Sequence, residues 1–288
     1  MSGELLTWLA YFYSYCFLGW VWETIYVWIA DRKPSNRGFL IGPVIPLYGF
    51  GACALLLIVS RLGNGVVTLF LLGFVGASLL ELITGVVMER IFETKYWDYS
   101  HLPLNFKGYI CLPISIGWGV FSTVLIRVVH PIVSGTVQMI EIDRLRLALI
   151  VSSILFVIDV IYSTLEAIDL RELLAKQLAY TKEKFRLENR LSYLTELRDR
   201  AVDGLKNAPG KAVGSIREMP SRASSGLRDI EEEITNLKQE LSRITNSWQK
   251  EIGRKLRAGL RVLRRNPHTS SKRYSFGLEE IKKFLQRK

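Results

Sequence analysis

Five apolar runs dominate the sequence, at about residues 5–29, 43–60, 65–89, 109–130 and 146–167. Each approaches the ~20 apolar residues that a helix needs to cross the hydrocarbon core of a bilayer. No basic segment precedes the first run and no small-residue cleavage site follows it, so we expect it to remain in the protein and not to act as a signal peptide. The runs predict an all-α integral membrane protein with five transmembrane helices.

Charge divides the chain into two parts. Residues 1–168 carry a net charge of −1, whereas residues 169–288 carry +12. With five spans, the loops at 30–42 and 90–108 lie on the same side as the C-terminal part, and these loops hold most of the basic residues of the apolar part. The positive-inside rule then places the N-terminus outside and the C-terminal tail in the cytoplasm.

An internal repeat is predicted within the apolar part, at about residues 5–60 and 65–130. Each copy has a Gly-x-Val-x-Glu motif, GWVWE or GVVME, followed by Asn, Gly, Pro and a Gly-aromatic-Gly triplet in the same order. Each copy would be a helical hairpin whose outgoing helix is interrupted by Pro and Gly. Two tandem hairpins in the same direction imply a pseudo-two-fold axis along the membrane normal, with the fifth helix outside the pair.

Acidic residues inside the predicted spans mark the candidate site, because a charged group in a membrane is costly and usually faces protein or water. Glu23, Glu89 and Glu166 lie near helix ends, where they either reach headgroup water or take part in a site. Glu81 and Asp159 lie deeper, which favours buried and partnered roles. Small residues and carboxylates recur at every fourth position from 73 to 89, so we expect Glu81 to point into a helix interface.

A polar pocket at the inner membrane face is the functional hypothesis that combines these acids with the two inner loops. The alternative is that Asp98, Asn105 and Asn36 only cap turns or helices. The predicted pocket consists of Glu23, Asn36, Arg37, Glu81, Glu89, Asp98, Asn105 and Asp159. The three cysteines have no metal-ligand spacing with the histidines, so we predict no metal site, no cofactor and no catalytic residues.

Four ordered motifs carry a family resemblance: FLGWVWE at 17–23, NRGFLIGPVIPLYGFGA at 36–52, GVVME with YWDYS at 85–100, and NFKGYICLPISIGWG at 105–119. Over about residues 12–168 the chain resembles the bacterial family described as putative ABC-transporter type IV, or CmpB-like. The resemblance implies a multi-pass protein of the bacterial inner membrane that acts as a transport permease. No GxxxxGK[ST] pattern occurs, so an ATPase would be a separate subunit, and five spans suggest a homodimer.

The tail beyond residue 168 is predicted to be helical. Residues 169–253 read as a helical hairpin or coiled coil with a linker at 207–226, and from 227 to 248 apolar residues recur at spacings of three and four. The seam either folds back within the chain or pairs with another subunit. Residues 254–288 form a basic C-terminal tail with 12 Lys and Arg against 2 acids. We expect it to bind anionic lipids, and no motif supports nucleic-acid binding.

Three functions follow from these patterns. The first is a membrane transport component with Glu81 and Asp159 as ion ligands or proton carriers. The second is a scaffold or sensor that recruits partners through its coiled-coil tail. The third is a membrane enzyme acting on a lipid-linked substrate, although no nucleophile and base occur at a recognisable spacing.

Overall fold

The computed structural model describes residues 3–32, 36, 38–206 and 219–286, and most of them are helical. The helices are α1 Gly3–Asp31, α2 Pro46–Leu62, α3 Val66–Leu72, α4 Ser78–Phe92, α5 Leu112–Val124, α6 His130–Met139, α7 Ile142–Lys206, α8 Met219–Arg265 and α9 Ser275–Gln286. One π-helical turn, Gly73–Ala77, joins α3 to α4, and a second, Leu125–Val129, joins α5 to α6. The strands β1, Asn105–Phe106, and β2, Ile110–Cys111, pair antiparallel.

Within the part of the chain that the structure describes, three helical segments are long and apolar enough to cross a membrane: Val66–Phe92, Leu112–Met139 and Ile142–Gly204. Helix α2 is also apolar but has only 17 residues. All five predicted apolar runs lie largely within helices, since α1 holds the first run and α2 most of the second. The all-α membrane-protein class therefore agrees with the structure, and the number of five crossings stays a prediction.

Prolines mark the starts of the two outgoing helices α2 and α5. Helix α2 begins at Pro46 after the extended residue Ile45, and α5 carries Pro113 in its first turn. Proline fits this position because the first-turn N–H groups have no partner within the helix. Before α2 and α5 the predicted interruption is therefore a loop that ends where the helix begins. In the second outgoing segment, Leu112–Met139, the π-helical turn Leu125–Val129 and Pro131 interrupt the α-helix as well.

Two apolar clusters hold the helices of the membrane body together. The first joins α1, α2, α3 and the second π-helical turn, and its buried members are Tyr15, Ala52, Leu55, Leu69, Leu125 and Ile126. The second joins α1 to α6 and α7 through Leu6, Ala10, Val137, Leu145 and Leu149. Residues from both predicted hairpins thus contribute to one continuous body.

The chain forms two compact units. One contains the residues before 173 together with those after 257, and the other contains Leu173–Arg257. In the second unit, Leu187 and Leu194 of α7 pack with Ile234 and Leu237 of α8. Tyr180 also stacks on Trp248, with ring centroids 5.2 Å apart, while Arg190 pairs with Glu233. The helices of this unit therefore run antiparallel within one chain, and coiled-coil pairing stays a prediction.

Helix α8 begins at Met219, within the predicted linker at 207–226, and residues 207–218 lie outside the described residues. The linker stays a prediction. The helix accepts Pro220 because proline is tolerated in a first turn. The Ser, Arg and Ala residues that follow it are compatible with a helix even though the composition resembles a linker.

Candidate functional site

Glu81 is buried inside the apolar segment Val66–Phe92, with 4% of its surface exposed. Its Oε1 accepts a hydrogen bond from the hydroxyl of Tyr99 at 3.0 Å, and its Oε2 accepts one from Trp118 Nε1 at 3.0 Å. Both donors are neutral. Among the described residues, no basic side chain forms an ion pair with this carboxyl group. Glu81 thus combines apolar surroundings with two oriented donors and no paired positive charge.

Glu23 lies close to the same aromatic residues. Its Oε1 accepts a hydrogen bond from the hydroxyl of Tyr48 at 2.7 Å. The rings of Tyr48 and Trp118 are in contact, with centroids 5.4 Å apart. Glu23 therefore accepts a hydrogen bond from Tyr48, Glu81 accepts one from Trp118, and these two donors form one aromatic pair.

Two glycines allow close approach between helices: Gly49 brings α2 against α1, and Gly119 brings α5 against α3. A Cβ atom added to Gly49 would lie 2.8 Å from both the ring and the carbonyl oxygen of Phe12. One added to Gly119 would lie 2.7 Å from the ring of Phe70 and 2.9 Å from its carbonyl oxygen. In both places the residue before the glycine is the aromatic donor to a glutamate. The close backbone approach therefore positions each donor.

The spacing within the incoming helices is the same in both places. Phe12 precedes Glu23 by eleven residues, and Phe70 precedes Glu81 by eleven. These contacts relate Glu23 to Glu81, whereas the sequence motifs related Glu23 to Glu89. The motif register has matching contacts as well, because a Cβ atom on Gly19 would meet Tyr48, the donor to Glu23, and one on Gly85 would lie 3.0 Å from Tyr109, the donor to Glu89. The repeat and its register therefore stay predictions.

Asp159 holds the loop between α1 and α2. Its carboxylate accepts hydrogen bonds from the backbone N–H groups of Ile41 at 2.9 Å and Gly42 at 2.8 Å, and from Ser163 Oγ at 3.0 Å. A Cβ atom on Gly42 would lie 3.0 Å from Asp159 Oδ2, so the glycine allows the close approach. Asp159 therefore accepts hydrogen bonds from two backbone N–H groups of the loop that follows α1 and one from Ser163 of its own helix.

Asn36 closes the same loop. Its Oδ1 accepts a hydrogen bond from Trp20 Nε1 at 2.6 Å, and its Nδ2 donates to the carbonyl oxygen of Ile41 at 2.6 Å. Arg37, the basic member of the predicted pocket, lies outside the described residues. Asn36 thus acts as a brace between α1 and the loop.

The second inner loop is organised by Asp98 and Asn105. Asn105 donates to the carbonyl oxygen of Leu102 at 2.8 Å and accepts from the N–H of Gly108 at 3.2 Å. Asp98 accepts from Ser100 and from Ser270 Oγ, the latter at 2.7 Å. Burial acts to raise the pKa of Asp98, but these hydrogen bonds outweigh it and hold the pKa below its ordinary value.

Glu89 belongs to this loop and not to the aromatic pair. It accepts a hydrogen bond from the hydroxyl of Tyr109, and Lys95 Nζ lies 4.0 Å from its Oε2. Lys95 is itself buried and donates to the carbonyl oxygen of Lys107 at 2.5 Å. Lys95 is thus the cation beside Glu89, and the backbone of Lys107 holds it there.

The predicted pocket residues fall into three groups. Glu23 and Glu81 flank the aromatic pair. Asn36 and Asp159 hold the first inner loop, while Glu89, Asp98 and Asn105 organise the second loop. Tyr99 follows Asp98 directly and reaches Glu81, so the group in the second loop adjoins the group at the aromatic pair. A single pocket that combines all of them stays a prediction.

Sequence reasoning missed the neutral donors and the most important cations. Tyr48 and Trp118 had one usable signal, since each is an aromatic residue with a polar atom beside a glycine in an apolar helix. Glu166 has a stronger set of partners, because Arg261 Nε lies 2.5 Å and Arg265 Nη2 lies 2.7 Å from its carboxylate oxygens. No local signal pairs groups that lie more than 90 residues apart in the chain.

No group of three or more His, Cys, Asp and Glu side chains among the described residues is arranged to hold a metal ion.

Comparison with known proteins gives one match, to a family model. No curated protein and no solved structure matches the chain. A family model matches residues 10–164, a range that includes all eight candidate site residues and more than half of the chain. The chain therefore belongs to the family described as putative ABC-transporter type IV.

Proposed function

We propose that the protein is a membrane transport component in which Glu81 binds and releases a proton. The observation that carries this proposal is the setting of Glu81: a carboxyl group buried in a spanning segment with two neutral donors and no ion pair among the described residues. Ionisable side chains inside membranes commonly mark ion paths and proton relays. Membership of a transporter family supports the same class of function.

A proton suits this site better than a metal cation. The groups that face Glu81 are an indole N–H and a phenol O–H, and an indole nitrogen is only a donor. Hard cations need several oxygen ligands. Two donors can stabilise the carboxylate form, while the apolar surroundings favour the neutral form. A carboxyl group with these opposed influences is suited to cycle between the two.

The matched contacts support the duplication. In each hairpin a glycine of the outgoing helix packs on a phenylalanine, and the preceding aromatic residue donates to a glutamate eleven positions after that phenylalanine. We propose that Glu23 and Glu81 are equivalent positions about a pseudo-two-fold axis. Transporters built from repeats commonly place their site at the repeat interface.

The membrane topology belongs to the same proposal. Helix α1 has 29 residues, which is about 43 Å of helix, and α2 has 17, about 25 Å, against a hydrocarbon core of about 30 Å. Five crossings would place the N-terminus outside and the basic segment at the anionic inner leaflet of the bacterial inner membrane. A separate ATPase subunit and a homodimer would complete the system.

Proton flux through the purified protein tests this function. The full chain is reconstituted in liposomes containing a pH-sensitive dye, and a potassium gradient with valinomycin supplies a membrane potential. We expect faster acidification than in empty liposomes, and Glu81→Gln should return the rate to that of empty liposomes. Glu141→Gln, the same change at an exposed position, should leave the rate unchanged. Wild-type liposomes that behave like empty ones, or a fully active Glu81→Gln variant, would refute the proposal.

A scaffold function is the second candidate, and one observation favours it. Phe185 and Tyr193 of the α7–α8 unit expose 64% and 63% of their surfaces, and aromatic residues are enriched at protein interfaces. In a deletion strain, Phe185→Asp with Tyr193→Asp should abolish a scaffold phenotype and leave a transport phenotype intact. Glu81→Gln should do the reverse. A phenotype that only the Glu81 variant loses would exclude the scaffold as its cause.

A further inference from the structure

The C-terminal latch, as we name residues 258–281, is packed into the membrane-domain unit and is not a free basic tail. It contains the end of α8, a turn, and most of α9. Its buried apolar residues are each at most 4% exposed: Val262, Leu263, Tyr274, Leu278 and Ile281. Thr269, in the turn, is completely buried. A segment with so much Lys and Arg gains this burial only by contact with a surface that fits it.

Backbone pairing fixes the turn of the latch to the second inner loop. Lys95 and Ser270 form an isolated antiparallel bridge in which each N–H donates to the other's carbonyl oxygen, at 2.8 and 2.9 Å. Ser270 Oγ donates to Asp98, and Ser271 Oγ donates to the carbonyl oxygen of Glu93 at 2.8 Å. Thr94 and Lys95, the loop residues at this bridge, are 1% and 4% exposed. The latch therefore lies over this part of the loop.

Ion pairs hold both ends of the turn. On one side, Glu166 of α7 lies between Arg261 and Arg265 of α8. On the other side, Glu93 accepts a hydrogen bond from Tyr274 and pairs with Arg273 at 2.9 Å. Glu93 directly follows α4, and Glu166 lies at the end of the apolar run of α7. The basic residues of the latch therefore pair with specific carboxylates at these two helix positions.

The latch also reaches the first inner loop. Asn266 Nδ2 donates to the carbonyl oxygen of Gly38 at 3.1 Å. One short segment therefore touches both loops, and the second of these loops supplies Tyr99, the donor to Glu81. Since Ser270 holds Asp98, the residue before Tyr99, movement of the latch would disturb a ligand of the proposed proton site.

We propose that the C-terminal latch is a regulatory element that closes over the second inner loop, and that its release exposes this loop and opens access to Glu81. The part that concerns Glu81 rests on the proposed transport function. The covering of the loop does not rest on it. The latch satisfies the requirement for a switch, because it is a discrete segment held by polar contacts that a local change of charge can weaken.

Two buried positions report whether the latch is closed. In a background whose native cysteines are changed to alanine, cysteine replaces Thr94 of the loop or Thr269 of the latch, one at a time. The full chain reacts with a charged, water-soluble thiol reagent, and mass spectrometry follows labelling. Ser192→Cys, at an exposed position in the other unit, gives the rate for free access. We expect both reporters to react at least ~100-fold more slowly than this standard, as buried positions that need local opening do.

Matched substitutions at Ser270 release the latch. Ser270→Asp puts a second carboxylate against Asp98, whereas Ser270→Asn has nearly the same size and no charge. Like charges placed directly opposite each other are destabilising. We expect Ser270→Asp to accelerate labelling of both Thr94→Cys and Thr269→Cys by at least ~10-fold, which corresponds to ~1.4 kcal/mol of lost docking energy. Ser270→Asn should leave both rates close to those of the parent.

A second pair of substitutions, at another contact of the latch, keeps the test decisive if the Ser270 variants misfold. Arg273→Glu reverses the charge that faces Glu93, and Lys272→Glu makes the same change at the neighbouring exposed residue. The first variant should accelerate labelling of Thr269→Cys and the second should not. Rapid labelling of the parent, or equal labelling rates within each matched pair of variants, would refute the proposal that the latch covers the loop.

Proton flux separates the latch from the transport function. Ser270→Asp should raise the flux, and the added flux should disappear when Glu81→Gln is combined with it. If wild type and Ser270→Asp both match empty liposomes, the transport function and the access to Glu81 fall together, while labelling still decides whether the loop is covered. The remaining case is that wild type carries flux and Ser270→Asp accelerates cysteine labelling without changing the flux. That result would refute the regulatory role of the latch.

Discussion

Replacing Glu166 by glutamine should weaken the docking of the C-terminal latch. The Glu166 side chain is only 4% exposed, and its two oxygens accept hydrogen bonds from different arginines at 2.5 and 2.7 Å. Glutamine keeps the shape of the side chain but removes the charge and one of the two acceptor atoms. The substitution therefore leaves Arg265, whose side chain is 10% exposed, without its charged partner.

The expected loss is about 3 kcal/mol. Removing one partner of a buried ion pair costs about 3–5 kcal/mol, because the remaining charge stays buried without compensation. The Arg261 side chain is 50% exposed, so its bond is screened by water and adds at most about 1 kcal/mol. Only the Arg265 bond counts as buried, which favours the lower end of the range. A loss of about 3 kcal/mol raises the fraction of undocked latch by ~100-fold.

Hydrogen exchange of the detergent-solubilised full chain measures this change. Peptides from residues 259–281 should exchange ~100-fold faster in Glu166→Gln than in wild type if they exchange by undocking. Glu279→Gln makes the same chemical change in the same segment. Its partner Lys282 lies at 3.4 Å in an exposed pair, so its effect should stay below about 1 kcal/mol.

Two results would refute this reasoning. Unchanged exchange of the segment in Glu166→Gln would show that the ion pair does not hold the latch. Equal acceleration by Glu279→Gln would show that net charge, and not the buried pair, controls docking.

Three further changes have defined outcomes. Gly49→Ala should lower stability by about 1–3 kcal/mol through overpacking against α1, measured as the thermal unfolding midpoint, whereas Gly117→Ala has no atom within 4 Å and should not. Asp159→Asn should raise hydrogen exchange of residues 38–45 by weakening charge-assisted hydrogen bonds of about 1.5–3 kcal/mol, and exposed Asp143→Asn should not. The hydrogen bond from Tyr274 holds the pKa of Glu93 below its ordinary value of 4.5, and Arg273 and Arg171, the latter of α7 at 2.9 Å, act in the same direction. Latch docking should therefore be constant above that pH and weaken as pH falls through the lowered pKa.

Each of these predictions has a contradicting result. Equal midpoints for the two glycine variants would contradict close packing at Gly49. Exchange of residues 38–45 that ignores Asp159→Asn would contradict the role of this carboxylate in holding the loop. Labelling of Thr269→Cys, normalised to the exposed standard, would contradict the assignment for Glu93 if it rose between pH 8 and pH 5.

The helices were predictable because long apolar runs and prolines are local signals. The runs located the helical segments, and Pro46 marks the start of α2 as the propensity of proline for first turns requires. The burial of Glu81 was also predictable, since it lies on a stripe of small residues. Asp159 was expected to be buried and partnered, but its partners are backbone N–H groups, which leave no trace in the residue types of the loop.

The contacts of the latch were not predictable, because they join residues far apart in the chain. A segment rich in Lys and Arg favours a lipid surface on composition alone. Only the tertiary structure shows that Arg261, Arg265 and Arg273 meet Glu166 and Glu93. The repeat register stays a prediction: GWVWE and GVVME relate Glu23 to Glu89, while the contacts of the donors Tyr48 and Trp118 relate Glu23 to Glu81.

The position of the latch in the chain has a consequence for biosynthesis. Residues 173–257 form a separate unit between the two parts of the membrane-domain unit. At about 5–20 residues per second, a ribosome needs about 4–17 s to translate these 85 residues. During that interval the buried carboxylate of Glu166 has not yet met its arginines. The membrane domain therefore passes through a nascent state in which the C-terminal latch is not yet docked.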